Sequence, residues 1–170
     1  MIIMENPMRE IRLAKLTLNI GCGQPGEKLE KAKKLLATLT GKKIVETHTS
    51  NRTTFGTPKG RAIGCKVTLR GKGLEEFLKR LLDAADYKIR KKSFDKQGNV
   101  SFGVHEHIQI PGVKYDPDIG IYGMDVCLTL ERRGFRVSRK KNPDKVGKLH
   151  RIKPEDAEKW MIQNFNVKVE

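Results

Sequence analysis

Three glycines near the start of the chain form the pattern that most directly suggests chemistry. Gly21, Gly23 and Gly26 lie between a predicted strand and a predicted helix and satisfy the spacing G-x-G-x-x-G. Glycines at these offsets let a pyrophosphate approach the backbone, and the N-terminus of the following helix favours its negative charge. Glu46, twenty residues beyond Gly26, has the offset of a carboxylate that binds a ribose. Taken alone, the pattern predicts a dinucleotide-binding turn.

The sequence after this turn does not continue as a nucleotide-binding fold requires. Glu46 is followed by the Thr-rich stretch 47–54 rather than by a loop and a helix, so the alternation of strands and helices stops after one unit. A Walker-type phosphate loop is excluded because Glu27, not lysine, follows Gly26. The glycines also resemble the first motif of S-adenosylmethionine-dependent methyltransferases, so an RNA methyltransferase is an alternative. We favour a tight strand-to-helix connection without a cofactor, in which Gly21→Ala would disturb folding.

The other side chains that could do chemistry occur in isolated pairs. His105 and His107 would share one side of a predicted strand and could hold a metal, but the sequence places no third ligand. Asp116 and Asp118 flank Pro117, where capping of a turn explains both carboxylates. We therefore predict no metal site and no catalytic residue, because neither pair forms an acid–base arrangement.

The composition limits the compartment and the number of domains. Three cysteines without a CxxC pair favour neither a zinc ribbon nor a disulfide scaffold, and they fit a reducing, cytoplasmic compartment. No apolar run is long enough to span a bilayer, so we predict a soluble protein without a membrane partner. The length predicts a single domain, 1–170, with an N-terminal half 8–64 and a C-terminal half 65–170.

The charge is strongly positive and unevenly distributed. Lys and Arg number 35 against 20 acids, which gives a net charge of +15 and a pI near 9.9. Ten Lys or Arg and one acid, Asp144, lie in the segment 132–153. Such an excess predicts attraction to a polyanion such as RNA, and a basic module without sequence specificity is a further alternative. We expect residues 136–148 to become ordered on RNA, because their charge opposes folding alone.

Hydrophobic periodicity predicts an α+β order of elements. Strands are expected at 13–20, 44–55, 63–70, 102–110 and 124–130, with a short edge strand at 167–169. Apolar residues at helical spacing predict helices over 29–39 and 74–85, and Pro154 is favoured at the first position of a third helix. These elements predict a largely antiparallel sheet with helices on one face, an RRM-like arrangement.

The other face of the predicted sheet is open, and its residues suit RNA. Alternation in the first and third strands directs outward the side chains of Lys15, Thr17, Asn19, Lys66, Thr68 and Arg70. Cations of this kind meet phosphates, and Thr and Asn reach sugar hydroxyls. An ordinary solvated face of an antiparallel sheet shows the same alternation, so both interpretations stay open.

A stretch with Gly, Pro and Asp at fixed offsets covers residues 93–126 and reads SFDKQGNVSFGVHEHIQIPGVKYDPDIGIYGMDV. It resembles the signature region of the family of large-subunit ribosomal protein number five, whose eukaryotic counterpart is number eleven. The matching residues are Ser93, Phe94, Asp95, Gly98, Asn99, Gly103, Glu106, Pro111, Tyr115, Asp116, Gly123, Met124 and Asp125. A second block, 16–70, resembles the same family through Asn19, Gly21, Gly23, Leu39, Thr40, Gly41, Phe55, Gly60, Ile63, Gly64, Val67, Thr68, Leu69 and Arg70. The basic segment after the signature looks archaeal or eukaryotic rather than bacterial.

The resemblance implies a structural role in the large ribosomal subunit, without catalysis. Members of the family hold the 5S rRNA on the open sheet face, anchor it to the 23S rRNA in the central protuberance beside other ribosomal proteins, and reach the peptidyl-site tRNA with a loop. Carried over by residue, Asn19, Phe55 and Thr68 would face the 5S rRNA, whereas Lys59, Gly60 and Arg61 would form the tRNA-facing tip. Pro58 departs from the family, which usually has arginine there.

Phe55 has two interpretations, because it could contact RNA or anchor the loop in the core. With the basic residues of the sheet, the arm and the C-terminal segment included, the predicted rRNA-binding residues are Lys15, Asn19, Arg52, Phe55, Lys66, Thr68, Arg70, Arg136, Arg139, Lys140 and Lys141.

Overall fold

The computed structural model describes residues 6–52, 54 and 56–170. Within these residues the helices are α1 (Glu27–Thr40), α2 (Leu74–Asp83) and α3 (Pro154–Phe165). The strands are β1 (Ile11–Gly21), β2 (Val45–His48), β3 (Ala62–Leu69), β4 (Lys88–Ile89), β5 (Val100–Val104), β6 (Met124–Arg132) and β7 (Lys168–Val169). The predicted α+β class is confirmed.

Five of these strands form one antiparallel sheet in the order β2-β3-β1-β6-β5. β1 is the central strand, and its Leu18 lies opposite Val67 of β3 and Val126 of β6. All three side chains are buried. Because side chains alternate along a strand, this register directs the intervening polar residues of all three strands to the opposite face.

A β-bulge in β1 lets this long strand bury apolar residues along its whole length. The register against β6 shifts between Leu13 and Lys15. Before the bulge the odd-numbered residues Ile11 and Leu13 pack against buried residues, and after it the even-numbered residues from Leu16 to Ile20 do so. One extra residue moves the alternation to the other parity, which is the effect expected of a bulge.

The three helices cover the buried face of the sheet. Leu36 of α1, Leu78 of α2 and Met161 of α3 are fully buried in one cluster with the inward residues of the strands. α1 ends where Gly41 adopts a left-handed conformation and its N–H donates to the Ala37 carbonyl at 2.8 Å. α3 begins at Pro154, as predicted.

Two predicted strands are wrong in their extent. The strand predicted at 44–55 ends at His48, where a register irregularity between Thr47 and His48 is followed by a bend at Ser50. The strand predicted at 102–110 ends at Val104, because the chain then turns into a short 3-10 segment, His107–Gln109. The predicted last strand forms as β7, but it pairs in parallel with β4 in a separate two-stranded sheet.

The connection 105–123, which contains most of the signature, is fixed to the helices by hydrogen bonds. Nε and Nη2 of Arg80, on α2, donate to the Pro111 carbonyl at 2.9 and 2.6 Å. The Tyr122 hydroxyl donates to the Lys28 carbonyl on α1 at 3.0 Å. Buried His107 accepts the Tyr122 N–H at Nδ1, at 3.3 Å. The connection is therefore an ordered part of the fold rather than a free linker.

No helix among the residues that the structure describes has the length and apolar character needed to cross a membrane.

The backbone conformation of the glycine turn before α1 predicts which glycine substitution destabilises the protein. Gly26 has φ 118° and ψ −152°, a region that only glycine adopts readily, so Gly26→Ala is expected to lower the free energy of unfolding by about 1–3 kcal/mol. Gly21 has open space where a Cβ would lie and no left-handed backbone, so Gly21→Ala is expected to change stability little, contrary to the expectation from the sequence. Urea unfolding followed by circular dichroism compares the two variants, and an equal decrease in both would contradict this assignment.

Arg80 provides a second test. Lysine cannot reproduce the fork of two N–H groups on the Pro111 carbonyl, so Arg80→Lys is expected to destabilise the protein by about 0.5–1.5 kcal/mol. Protease cleavage within 110–120 should also become faster. Lys79→Gln on the same helix is the control, because Lys79 is exposed. Unchanged cleavage in Arg80→Lys would show that the connection is held by its other contacts.

Candidate nucleic-acid interface

The glycine turn does not form a nucleotide or methyl-donor site. β1 and β2 are separated in the sheet by the antiparallel β3, so the adjacent parallel strands of a dinucleotide-binding unit are missing from this part of the fold. Glu46 lies 2.5 Å from Nζ of Lys33 on α1. This hydrogen bond lowers the pKa of Glu46 and engages its carboxylate with the helix. The residues present therefore do not fit the cofactor that the motif suggests.

The three thiols are not activated nucleophiles. Partial desolvation by neighbouring atoms raises the pKa of Cys22 and Cys127, and burial raises the pKa of Cys65 to about 11. A thiol with a raised pKa stays protonated at neutral pH and reacts slowly.

The predicted histidine pair is separated by the end of β5. His105 is exposed, whereas His107 is buried and bound to the Tyr122 backbone, so the two rings do not share one side of a strand. No group of three potential ligands is placed to hold a metal ion among residues 6–52, 54 and 56–170. The Asp116 carboxylate accepts the Asp118 N–H at 3.0 Å, which is the predicted turn capping.

The face of the sheet opposite the helices collects most of the predicted strand residues. Asn19 lies beside Lys66, and Thr17 lies beside Thr68, across the β1–β3 pair. Lys15 follows on the same side of β1, opposite Thr129 of β6. The predicted residue Arg70 directly follows β3 and is exposed. We call this surface the open face.

Three residues that the sequence analysis did not single out as contacts complete the open face. Asp125 and Cys127 of β6 and Ser101 of β5 are exposed and continue the rows of Asn19 and Thr17 across the sheet. Nδ2 of Asn19 lies 3.4 Å from Oδ2 of Asp125, to which it donates. The strict alternation of β6 was a signal that could have identified them. Small side chains make this part of the face flat and hydrogen-bonding.

The arm between β2 and β3 is closed at its base by Thr49. The Thr49 hydroxyl donates to the Pro58 carbonyl at 2.8 Å, and the Thr49 N–H donates to the Arg61 carbonyl at 3.0 Å. The Gly60 N–H returns a bond to the Thr49 carbonyl at 2.9 Å. Lys59, Gly60, Arg61 and Arg52 are all exposed. Gly60 and Arg61, predicted at the tip, lie at the base of the arm, because their backbones are the ones that pair with Thr49. The predicted contact Phe55 lies outside the described residues.

The basic segment 132–153 packs on the end of β6 and carries several ion pairs. Arg132 pairs with Asp156 of α3 at 3.1 Å, and Arg139 pairs with Glu131 of β6. Lys140 lies 3.5 Å from Asp144. Arg136 and Lys141, also predicted contacts, are exposed and make no ion pair with any described residue. The predicted basic residues therefore differ in how much of their charge is free for a ligand.

Two family models match the chain. Residues 6–53 match the one described as Ribosomal protein L5, and residues 62–157 match the one that describes the C-terminus of the same ribosomal family. Several archaeal proteins named large ribosomal subunit protein uL5 are similar over nearly their whole length. The one from Sulfurisphaera tokodaii is 53% identical and covers 96% of this chain and 94% of that protein.

Relatives of the same name give the same result. The protein of Sulfolobus acidocaldarius is 47% identical over 97% of this chain and 94% of its own length, and that of Methanosphaera stadtmanae is 46% identical over 97% and 99%. The resemblance found in the sequence is thereby confirmed. The chain belongs to the ribosomal protein L5 family as an archaeal-like member, and it is a structural, non-enzymatic constituent of the large ribosomal subunit in the cytoplasm.

Proposed function

We propose that the chain binds the 5S rRNA on its open face and links it to the 23S rRNA in the central protuberance. The observation that carries the proposal is the juxtaposition of Asn19, Lys66, Thr17 and Thr68 on adjacent strands of that face. Side-chain amides and hydroxyls bind ribose 2′-hydroxyls and base edges, while ammonium groups bind phosphates. The face therefore offers both classes of RNA contact within one flat surface.

Attachment to the 23S rRNA is assigned to the basic segment. Arg136 and Lys141 have no carboxylate partner in the described part of the chain, so neutralising them by phosphate breaks no internal ion pair. Arg139 and Lys140 are partly neutralised by Glu131 and Asp144 and would contribute less. Other ribosomal proteins of the central protuberance would be neighbours of this assembly.

Contact with the peptidyl-site tRNA is assigned to the arm. The Thr49 hydrogen bonds hold both sides of the arm together and fix the backbones of Gly60 and Arg61 at its base, next to the exposed Lys59. Two cations on either side of a glycine, which leaves open space for close approach, are suited to a phosphate backbone without base specificity. Pro58 removes one cation relative to the usual family pattern, which predicts a contact of moderate strength.

A nonspecific nucleic-acid-binding module is the second candidate, and the net charge of +15 is the observation that favours it. Charge alone binds any RNA and loses affinity steeply with salt. The two functions are separated by preference among RNAs of equal length.

A competition assay tests the open face. At about 150 mM salt, the chain should prefer folded 5S rRNA over a structured RNA of equal length by at least tenfold, about 1.4 kcal/mol. Thr68→Val and Asn19→Ala should each weaken binding to 5S rRNA by about fivefold, because each removes one hydrogen bond worth about 1 kcal/mol.

Thr38→Val on α1 is the matched control, since Thr38 is exposed on the helical side and should leave the dissociation constant unchanged. Equal affinity of the unaltered chain for both RNAs would favour the nonspecific module. Equal effects of Thr38→Val and Thr68→Val would remove the open face from the interface.

Photocrosslinking tests the arm. A photoreactive residue at position 59, in large subunits that contain this chain, should crosslink to tRNA when the peptidyl site is filled and not when it is empty. The same residue at position 79 on α2 serves as control and should give no tRNA product. A crosslink from position 79 alone, or from neither position, would contradict the assignment of the tip.

A further inference from the structure

A second group of cations lies beside the open face. None of them is among the residues predicted from the sequence to bind RNA. Lys88, Arg90, Lys91 and Lys92 follow α2 within five consecutive residues, and we call them the 88–92 cluster. All four are exposed. Asp86 precedes the cluster by two residues but forms no ion pair with a described residue, and Asp95, three residues after it, accepts the N–H groups of Gln97 and Asn99 within its own turn.

The cations of this cluster have no ion-pair partner in the described residues, although Glu170 lies beside them and accepts the Lys91 backbone N–H at 2.7 Å. In the 132–153 segment, by contrast, four of the cations are paired with Glu10, Glu131, Asp144 or Asp156. Unpaired, exposed cations concentrated on one short stretch produce a local positive potential that attracts a polyanion.

One depression joins the cluster to the open face. Its volume is about 1010 Å³, and its lining includes Asn19, Lys66 and Ser101 together with Lys88 and Arg90. Between these two sides runs β5, the edge strand of the sheet, which pairs with β6 on one side and on the other forms only a bridge from Val100 to Phe94. A ligand lying on the open face can therefore pass over β5 to the cluster without leaving the depression.

The floor of the depression permits close approach of a nucleic-acid backbone. Gly103 of β5 is exposed, and the space where its Cβ would lie is empty. An edge strand also has backbone N–H groups that its own sheet does not use, and such groups are common donors to phosphate and sugar oxygens.

The acidic residues of the depression distinguish RNA from other polyanions. Asp86, Asp125 and Glu170 also line it, so it is not a uniformly positive trough. A carboxylate repels phosphate but accepts a hydrogen bond from a ribose 2′-hydroxyl or from a base amino group. An acidic peptide carries its negative charge on side-chain carboxylates and its donors on the backbone N–H groups. In an RNA strand each phosphate alternates with a 2′-hydroxyl and base donors. The mixture of charges therefore fits RNA better than an acidic protein.

We propose that the 88–92 cluster is an extension of the RNA interface, in which the strand bound on the open face crosses β5 and its phosphates are held by Lys88, Arg90, Lys91 and Lys92. The inference rests on the proposed binding of 5S rRNA to the open face. In this arrangement the cluster contacts the phosphates of the RNA, and the region of Asn19 and Asp125 forms hydrogen bonds with its sugars and bases.

The test compares two fourfold variants with the same net charge. In the first, all four residues of the cluster are replaced by glutamine. In the matched control, glutamine replaces four exposed cations of the three helices, Lys28, Lys34, Lys79 and Lys159, which make no ion pair among the described residues. The probe is the 5S rRNA of Sulfurisphaera tokodaii, and dissociation constants are measured across a salt series, with circular dichroism to verify folding.

The cluster variant should bind at least tenfold more weakly than the control. Its log–log salt slope should be smaller by about 0.7–0.9 for each phosphate that the variant no longer neutralises, that is by about 2 for two to three phosphates. Equal affinities and slopes in the two variants, with preference for 5S rRNA retained, would overturn the extension alone. Absence of any preference for 5S rRNA in the unaltered chain would overturn the proposed function, and this inference with it.

Discussion

The central strand β1 is the constraint on which the rest of the structure depends. It pairs with β3 on one side and β6 on the other, so its register sets the register of most of the sheet. Its inward residues from Leu16 to Ile20 are buried beneath the helices, and the residues between them lie on the open face. A slip of one residue would exchange the two sets, which burial of the apolar set prevents. The same packing that stabilises the fold therefore also presents Thr17 and Asn19 to a ligand.

The fold decides how much positive charge stays uncompensated, because it brings carboxylates close to some cations and not to others. Arg132, at the end of β6, is compensated by Asp156 in the first turn of α3, and Arg139 is compensated by Glu131 of β6. The 88–92 cluster has no such partners in the described residues. Counting the cations along the sequence therefore overstates the free positive charge of the segment 132–153 and understates that of the region beside β5. Because affinity for RNA depends on uncompensated cations, the folded arrangement matters more than the count along the chain.

The signature connection has a structural role that its density of Gly, Pro and Asp does not reveal by itself. It is tied to α2 through Arg80, to α1 through Tyr122, and to itself through His107. These bonds fix the position at which the chain enters β6, and hence the position of Asp125 on the open face. Asp116 and Asp118 serve the turn of the connection rather than a reaction. Its Gly-Met-Asp end is the part that reaches the proposed interface.

Local periodicity was sufficient to predict the α+β class, the inward residues of β1 and β3, the end of α1 at Gly41 and the start of α3 at Pro154. These features depend on the nearest few residues, through alternation, helical spacing and backbone preference. Periodicity failed where distant contacts decide the outcome. The insertion of β3 between β1 and β2 removes the nucleotide site that Gly21, Gly23 and Gly26 suggested, and the bond to Tyr122 turns His107 inward. Only tertiary structure could bring the 88–92 cluster beside the open face, because that proximity arises from the packing of α2 and the order of strands, which no short stretch of sequence encodes.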